Sequence, residues 1–308
     1  MNLTNEQLAY IAGFLEGDGS FQIMRHKVKN KTYAYEYRIS GYNTKFEIIQ
    51  WLVDNVGGHS SEVKTSPRQK KPYHWHIKTI QALKLAEAIT PFLVSKKEEV
   101  DIFIQFSRFV SANTTKKLTQ EGIDIRVNLI NQIRHVRNNK NIITRDECNK
   151  VKQIKPIEYP SQTDIAYLAG LIDAEGCFRL HRIIKKKMIH PAWASVMEIG
   201  NTNSLFFPWL MTKFGGNLNF AKNNGFNVKP FAKWYIMSNQ MRKFTSDLMK
   251  YLIIKKPVCA KIIEFDQTVL PNGGDRHSDL FKRTYQEVSA KREIIFNQIQ
   301  ILNTRGQH

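Results

Sequence analysis

Two pairs of acidic residues stand at equivalent points in the two halves of the sequence. Glu16 and Asp18 close one run of apolar and small residues, and Asp173 and Glu175 close another. Each run predicts a helix, so these carboxylates would lie at helix C-termini, where the helix dipole disfavours an acid by about 0.3–1 kcal/mol. Two such ends brought together would repel each other unless a cation lay between them. Because carboxylate and carbonyl oxygens suit Mg²⁺, we predict a divalent-metal site.

The acidic runs belong to a longer internal repeat. Residues 11–19 read Ile-Ala-Gly-Phe-Leu-Glu-Gly-Asp-Gly, and residues 168–176 read Leu-Ala-Gly-Leu-Ile-Asp-Ala-Glu-Gly. Further matches follow in the same order and at nearly constant separation, which indicates a duplicated unit. They are Asn43-Thr44 with Asn201-Thr202, Gly57-Gly58 with Gly215-Gly216, Pro72 with Pro230, Trp75 with Trp234, and Lys96-Lys97 with Lys255-Lys256.

The hydrophobic periodicity predicts an α+β fold in which each half runs helix, strand, strand, helix, strand, strand, helix, with extra C-terminal helices. Thr4 is predicted to cap the first helix, and Gly19 to end it in the usual manner of a C-terminal glycine. The polar, proline-containing stretch 139–161 is predicted as a linker between an N-terminal half, 1–138, and a C-terminal half, 162–308. Strands of the first half are predicted from Ser20 and at about 33–43, 60–65 and 73–79, and helices at about 46–56, 81–90, 96–110 and 119–137.

The composition favours a nucleic-acid partner. Lys and Arg number 46 against 27 Asp and Glu, which gives a net charge of +19, and such a surplus is typical of proteins that bind a polyanion. A basic surface without a partner is the alternative. No apolar run reaches the roughly 20 residues of a membrane span, and the N-terminus has neither a signal-peptide core nor a transit sequence. The 3 scattered cysteines indicate a reducing compartment, and the many Ile, Lys and Asn residues suit an organellar or phage genome.

The duplicated run resembles the signature of the single-chain LAGLIDADG homing endonucleases, and the similarity covers nearly the whole chain. Both departures from that signature are mild: Gly17 replaces its second alanine, and Glu175 replaces its second aspartate. The resemblance implies a pseudo-twofold αββαββα arrangement within one chain, with the motif helices at the interface. It also implies two four-stranded antiparallel saddles that lie in the major groove of double-stranded DNA.

The resemblance further implies which residues bind metal. Asp18 and Glu175 would be the metal-binding acids, and the carbonyls of Gly17 and Ala174 would complete the ligation of two or three Mg²⁺ ions.

Polar and basic positions of the same signature would complete the catalytic site. Lys96 and Lys255 resemble the basic residue near the attacking water, with Lys97 and Lys256 as less favoured candidates. An ordinary helix-start lysine is the alternative. The polar position that orders water falls on Asn43 and Asn201, for which a turn role is an equal alternative.

Strand alternation selects the side chains that would face DNA bases if Asp18 points toward the cleavage site. Basic hairpin tips, including Lys29, Arg68 and 185–187, are predicted to contact phosphates. Because the halves differ at most base-facing positions, the predicted target is asymmetric. The predicted contacts are Gln22, Met24, His26, Arg38, Ser40, Lys64, His74, His76 and Lys78 in the first half, and Arg179, His181, Glu198, Lys222, Lys233 and Tyr235 in the second. The pair His74 and His76 could bind zinc, but no third ligand is evident nearby.

Two functions are compatible with this fold. The first is a site-specific, Mg²⁺-dependent double-strand endonuclease of a mobile intron, acting as a monomer and encoded in a mitochondrial or chloroplast genome. The second is an RNA maturase whose partner is the host intron RNA. Retention of both acids and both lysines favours the nuclease, and it also disfavours an inactive DNA-binding regulator. The terminal residues disfavour an intein.

Overall fold

The computed structural model describes residues 2–27, 33–64, 71–113, 119–139, 142–156, 159–184, 191–221, 229–268 and 279–304. Its elements follow the predicted order in both halves, so the predicted α+β fold is confirmed. The first half contains α1 (Asn5–Asp18), β1 (Gly19–Lys27), β2 (Tyr33–Asn43), α2 (Phe46–Val56), β3 (His59–Glu62), β4 (Tyr73–Lys78), α3 (Thr79–Ile89), α4 (Lys97–Ala112) and α5 (Gln120–Asn138). After α6 (Arg145–Val151), the second half contains α7 (Gln162–Glu175), β5 (Gly176–Ile183), β6 (Ala192–Asn201), α8 (Phe206–Phe214), β7 (Asn217–Ala221), β8 (Phe231–Met237), α9 (Ser238–Tyr251), α10 (Lys256–Asp266) and α11 (Asp279–Asn303).

Each half builds one four-stranded antiparallel sheet. The strand orders are β1-β2-β4-β3 and β5-β6-β8-β7, so the two sheets have the same topology. The inner face of each sheet buries a tryptophan, Trp75 or Trp234, with no exposed surface. The indole N–H of Trp75 donates to the Gly57 carbonyl at 2.8 Å, and that of Trp234 donates to the Gly215 carbonyl at 2.7 Å.

The repeated glycine pairs that precede β3 and β7 have a backbone reason. All four glycines have positive φ angles, between 68° at Gly215 and 97° at Gly58. Side-chain-bearing residues rarely adopt this region, so glycine is required there. These turns carry the carbonyls that accept from the buried tryptophans, which explains why glycine and tryptophan recur together.

The two motif helices, α1 and α7, approach each other backbone to backbone at Gly13 and Gly170. A Cβ built on Gly13 would lie 2.0 Å from the Tyr167 carbonyl oxygen, and one on Gly170 would lie 2.0 Å from the Tyr10 carbonyl oxygen. Each glycine therefore receives the backbone of the opposite helix. This close approach brings the C-terminal ends of α1 and α7 side by side.

The caps of α1 match the prediction at one end only. The Thr4 hydroxyl accepts from Gln7 N at 3.2 Å within a capping box. Gly19, however, is extended, with φ −101° and ψ 160°, so the predicted glycine-type helix stop is wrong. A Cβ on Gly19 would lie 2.5 Å from the Leu15 carbonyl oxygen, and this close contact accounts for the glycine.

The segment predicted as a linker is more structured than its composition suggests. Within 139–161, α6 begins with a capping box at Thr144, and Cys148 is fully buried. Ile143 N donates to the Thr202 carbonyl at 2.9 Å, which ties the segment to the end of β6. Residues 142–151 therefore pack as part of the second half. No helix among the described residues is long and apolar enough to cross a membrane.

Candidate active site and nucleic-acid interface

The acidic ends of α1 and α7 form one composite site. Asp18 is the last residue of α1, and Glu175 is the last residue of α7. A Cβ built on Gly17 would lie 2.6 Å from Ala174 Cβ and 2.8 Å from Glu175 Cγ. Glycine at position 17, where the family signature has alanine, thus makes room for the Glu175 side chain.

The environment of Asp18 disfavours the ionised form of its carboxyl group. The pKa of the Asp18 carboxyl is raised from 3.8 to about 6, mainly by burial and also by the nearby Glu175. A hydrogen bond from Asn43 and the ammonium groups of Lys255 and Lys96 oppose this rise in pKa. A cation between the two carboxylates would relieve both burial and repulsion, because it favours their ionised forms.

The donor set fits a hard divalent cation. Among the described residues, no three His, Cys, Asp or Glu side chains are grouped so that they could hold a metal ion. The side-chain ligands would thus be Asp18 and Glu175 alone. Because α1 and α7 end at these residues, the carbonyls of Gly17 and Ala174 have no intrahelical donor. Carboxylate, carbonyl, water and phosphate oxygens are the ligands that Mg²⁺ and Ca²⁺ accept.

The two predicted lysines lie at the same helix ends. Lys96 Nζ donates to the carbonyls of Leu15 and Gly19, each at 2.7 Å. Lys255 Nζ donates to the carbonyls of Ile172 and Asp173, the latter at 3.2 Å. Cations at helix C-termini are stabilised by the dipole, so these ammonium groups offset the acids there. Their neighbours, which begin α4 and α10, are exposed.

Asn43 and Asn201 occupy equivalent strand ends but bond differently. Asn43 Nδ2 donates to Asp18 Oδ2 at 2.8 Å, while its own oxygen accepts from Lys45 N at 2.9 Å. Asn201 Oδ1 likewise accepts from Asn203 N at 2.9 Å. Within the described ranges, no hydrogen bond joins Asn201 to Glu175, whose side chain is exposed. The composite site is therefore asymmetric.

Two buried acids, to which the sequence assigned no role, fix the backbone next to the two lysines of this site. Glu16 and Asp173 are 3% and 2% exposed, so neither acid faces solvent. Glu16 accepts from the backbone N–H groups of residues 94–96, and Asp173 accepts from those of residues 253–255. Glu16 and Asp173 each follow a buried alanine, Ala12 or Ala169, by one helical turn. This spacing could have placed both acids on the buried helix face.

The register of the first sheet groups most predicted DNA contacts on one face. Gln22 pairs with Arg38, Arg38 with Lys78, and Ser40 with His76, so these side chains share a face because direct cross-strand partners do. Two placements differ from the prediction. Ser40 lies on this face but is fully buried. Lys64 lies beyond β3, which ends earlier than predicted, and the β3 residues on this face are His59 and Ser61. Met24 and His26 also lie on this face.

Histidines and a tyrosine form a ring stack on the first saddle. Tyr42 stacks on His74 with ring centroids 4.4 Å apart, and His74 stacks on His76 at 5.0 Å. His59, which the sequence analysis did not select, lies 5.8 Å from His76. Burial lowers the pKa of His74 and of His76, and nearby positive groups lower them further. These imidazoles are therefore biased toward the neutral form.

The second saddle carries an ion-pair cluster in place of that stack. Glu198 is 8% exposed and contacts both Arg179 and Lys233, the latter at 3.4 Å. The register pairs Glu198 with Tyr235 and His181 with Ala194, so the predicted contacts share one face. Lys222 and the hairpin-tip residues Lys29, Arg68 and 185–187 lie outside the described residues. Asn217 and Asn219, opposite Tyr235 and Lys233, also lie on this face and were missed.

Comparison with known proteins gives two distant sequence relatives. No protein-family model matches the chain. The chain is 25% identical over 187 residues to the "Probable intron-encoded endonuclease Cox1-I1b" of Schizosaccharomyces pombe. It is 24% identical over 174 residues to the "Probable intron-encoded endonuclease aI3" of Dictyostelium citrinum. The matches cover 59% and 54% of this chain, and they span only 43% and 60% of the two relatives.

The fold comparison is more extensive. The I-SmaMI LAGLIDADG homing endonuclease bound to cleaved DNA matches with a TM-score of 0.64 at 13% identity, over 100% of this chain and 99% of that chain. I-SmaMI bound to its uncleaved DNA target in the presence of calcium ions matches with a TM-score of 0.64 at 16% identity, over 99% and 100% of the two chains. At these identities the likeness concerns the fold. The chain thus has the single-chain LAGLIDADG homing endonuclease fold, which confirms the resemblance seen in the motifs.

Proposed function

We propose that the protein is a site-specific, divalent-metal-dependent endonuclease that cuts both strands of a DNA target and serves a mobile intron. The observation that carries this proposal is the composite site. Asp18 and Glu175 come from different halves, meet where α1 and α7 end, and share the neighbourhood of two lysine ammonium groups. Two acids and two lysines around one pseudo-twofold axis suit a reaction that must occur once on each strand.

The residues of the site divide into metal ligands and positioning groups. Asp18, Glu175 and the carbonyls of Gly17 and Ala174 would hold Mg²⁺, with two or three ions as the expected number. A divalent cation there supplies a Lewis acid for the phosphate and a means to activate water. Asn43 orients the Asp18 carboxylate through its 2.8 Å hydrogen bond, and Asn201 would order water beside Glu175.

The lysines would stabilise the negative charge that develops on the phosphate. Lys96 and Lys255 bring positive charge to the helix ends, close to where the scissile phosphates must approach the acids. Preorganised positive groups of this kind stabilise a transition state more than the substrate, because they need no rearrangement when the charge develops.

The two saddles would read a long, asymmetric target in the major groove. The ring stack of Tyr42, His74 and His76 on one saddle and the cluster of Arg179 and Glu198 on the other offer different hydrogen-bonding groups. Bases are distinguished in the major groove by their donor and acceptor patterns. Different side chains at equivalent positions therefore specify different half-sites.

Double-stranded DNA is the proposed partner, and one chain suffices because it supplies both acids. The maturase alternative, with intron RNA as partner, is not proposed, since no described residue favours it and neither sequence relative is named as a splicing cofactor. An origin in an organelle genome stays a prediction. It is supported by the composition and by the intron-encoded relatives.

The proposal is tested by incubating the protein with a library of long duplexes in Mg²⁺ or in EDTA and sequencing the ends. We expect cleavage at one sequence, in Mg²⁺ only, with both strands cut. The Asp18→Asn and Glu175→Gln variants should cut neither strand at the normal rate and should bind the selected duplex as tightly as the unaltered protein does. Absence of any metal-dependent, sequence-specific cleavage would refute the proposal.

A further inference from the structure

Tyr10 makes a hydrogen bond between the two halves that has no role in the proposed reaction as described above. It lies on α1, and its side chain is 2% exposed. Its hydroxyl donates to Asp173 Oδ2 on α7 at 2.8 Å. Burial and Asp173 both raise the pKa of Tyr10 well above its ordinary value, so it stays a neutral donor. A residue of the first half thus holds an acid of the second.

Asp173 in turn fixes the backbone that carries Lys255. Its Oδ2 also accepts from Ile253 N at 2.7 Å and from Ile254 N at 3.2 Å, and its Oδ1 accepts from Lys255 N at 2.9 Å. Lys255 Nζ then returns to the carbonyls at the end of α7. The position of this ammonium group therefore depends on where the Asp173 carboxylate sits.

The equivalent acid of the first half is held differently. Glu16 accepts from Val94 N at 2.6 Å and from Ser95 N at 2.8 Å. It also accepts from the Ser95 hydroxyl. In the second half, the position of Ser95 is occupied by Ile254, which has no hydroxyl to donate. Tyr167, the equivalent of Tyr10 on α7, also lies next to Glu16, and burial and Glu16 raise the pKa of Tyr167. Only Glu16, however, has a side-chain donor in its own loop, whereas the side-chain donor to Asp173 is Tyr10, across the interface.

We propose that Tyr10 and Asp173 form a positioning pair through which the first half sets the location of the Lys255 ammonium group and hence the rate at which one DNA strand is cut. This inference rests on the proposed nuclease function. Tyr10 and Asp173 are each only 2% exposed, so they would act on the phosphate through Lys255 and not by direct contact. Removing the Tyr10 hydroxyl leaves Asp173 with backbone donors only, whereas Glu16 keeps its serine donor. The two strands should therefore respond unequally.

The test measures the two strand rates separately on a duplex that carries the selected target and a different label on each strand. Lys255→Met and Lys96→Met first show which strand depends on each lysine. We expect Tyr10→Phe to slow the Lys255-dependent strand about tenfold, so that nicked DNA accumulates, while affinity for the duplex in Ca²⁺ stays unchanged. Tyr251→Phe is the matched control. Its hydroxyl donates to Gln162 at an exposed site, and both strand rates should stay normal.

A rescue separates positioning from a general loss of structure. Adding Ile254→Ser to Tyr10→Phe gives Asp173 a local hydroxyl of the kind that Ser95 gives Glu16, so the slowed strand should recover. Equal slowing of both strands without rescue would overturn the positioning role, and so would normal rates for Tyr10→Phe. If the unaltered protein cuts no duplex at all, the proposed function itself fails. That failure is distinguishable from a failure of the positioning role, because it is seen in the unaltered protein without any substitution.

Discussion

Replacing Asp18 by Asn should make the protein more stable while abolishing cleavage. The substitution keeps the side-chain shape, and its amide oxygen can still accept from Asn43 Nδ2, which now donates at 2.8 Å. What it removes is the negative charge of a half-buried carboxyl beside Glu175. Since the folded state disfavours that charge in the absence of a cation, removing the charge should increase the free energy of unfolding.

The size of the gain follows from the pKa of Asp18. A folded-state pKa of about 6 against the ordinary 3.8 sets an upper limit of about 3 kcal/mol on the cost of the charged carboxylate at neutral pH. Residual solvent screening reduces this, so we expect about 1–2 kcal/mol of added stability. Because the folded pKa is raised, the wild-type protein gains stability as the pH falls from about 6 toward 3.8. The advantage of Asn should shrink over that window.

Denaturant unfolding in EDTA at pH 7.5 and at pH 5 measures both effects. Asp54→Asn is the matched control, because Asp54 is an exposed helical carboxylate that accepts from Gln50 at 2.7 Å, and it should change stability little. Saturating Ca²⁺ should stabilise the wild type and leave Asp18→Asn nearly unchanged, which closes or reverses the gap. The reasoning is refuted if Asp18→Asn is less stable than the wild type in EDTA at pH 7.5, or if its advantage does not depend on pH.

Three further outcomes are expected. Gly13→Ala should lose at least about 3 kcal/mol of folding stability in denaturant titration, because its Cβ would lie 2.0 Å from the opposite backbone; Gly200→Ala, with no neighbour closer than 3.8 Å, should change it little. Trp234→Phe should cost about 2 kcal/mol or more in the same measurement, since it removes a buried indole and leaves the Gly215 carbonyl without its donor. DNA affinity in Ca²⁺ should fall steeply between about 50 and 200 mM salt, as counterion release from several phosphates requires; a flat response in a filter-binding titration would count against contact along the saddles.

The sequence was informative about elements because periodicity and capping are local. Thr4 and the strand at Tyr33–Asn43 are where the pattern put them. It was less informative where a residue's reason lies in a distant contact. Gly19 is required by its contact with Leu15 rather than by a left-handed turn. Residues 142–151 look like a linker because their polar surface is visible in the sequence, whereas the burial of Cys148 against the second half is not.

The candidate site was predictable in its identity and less so in its asymmetry. Duplication selected the acids at the helix ends and the lysines as equivalent pairs. It could not show that Asp18 is half-buried and bonded to Asn43 while Glu175 is exposed, because equivalent residues in a repeat need not make equivalent tertiary contacts. Duplication alone also did not separate the buried Glu16 from the exposed acids on helix surfaces, although its helical spacing from the buried Ala12 indicated the buried face. Each depends on contacts with residues distant in the sequence, Asn43 for Asp18 and residues 94–96 for Glu16.

Acids at two adjacent helix C-termini repel each other and the helix dipoles. Lysine ammonium groups at the same helix ends offset this repulsion. Each helix end accepts a lysine ammonium group from its own half, and each of these lysines begins a stretch anchored by a buried motif acid. Glu16 and Asp173 therefore act as anchors, while Asp18 and Glu175 remain at the open side, where burial raises the pKa of Asp18 despite the two nearby lysines. In the proposed reaction, a divalent cation would bind these carboxylates and favour their ionised forms, and the cation and the two lysines would attract the DNA phosphate. A fully neutralised pair would fold more easily and would bind no metal.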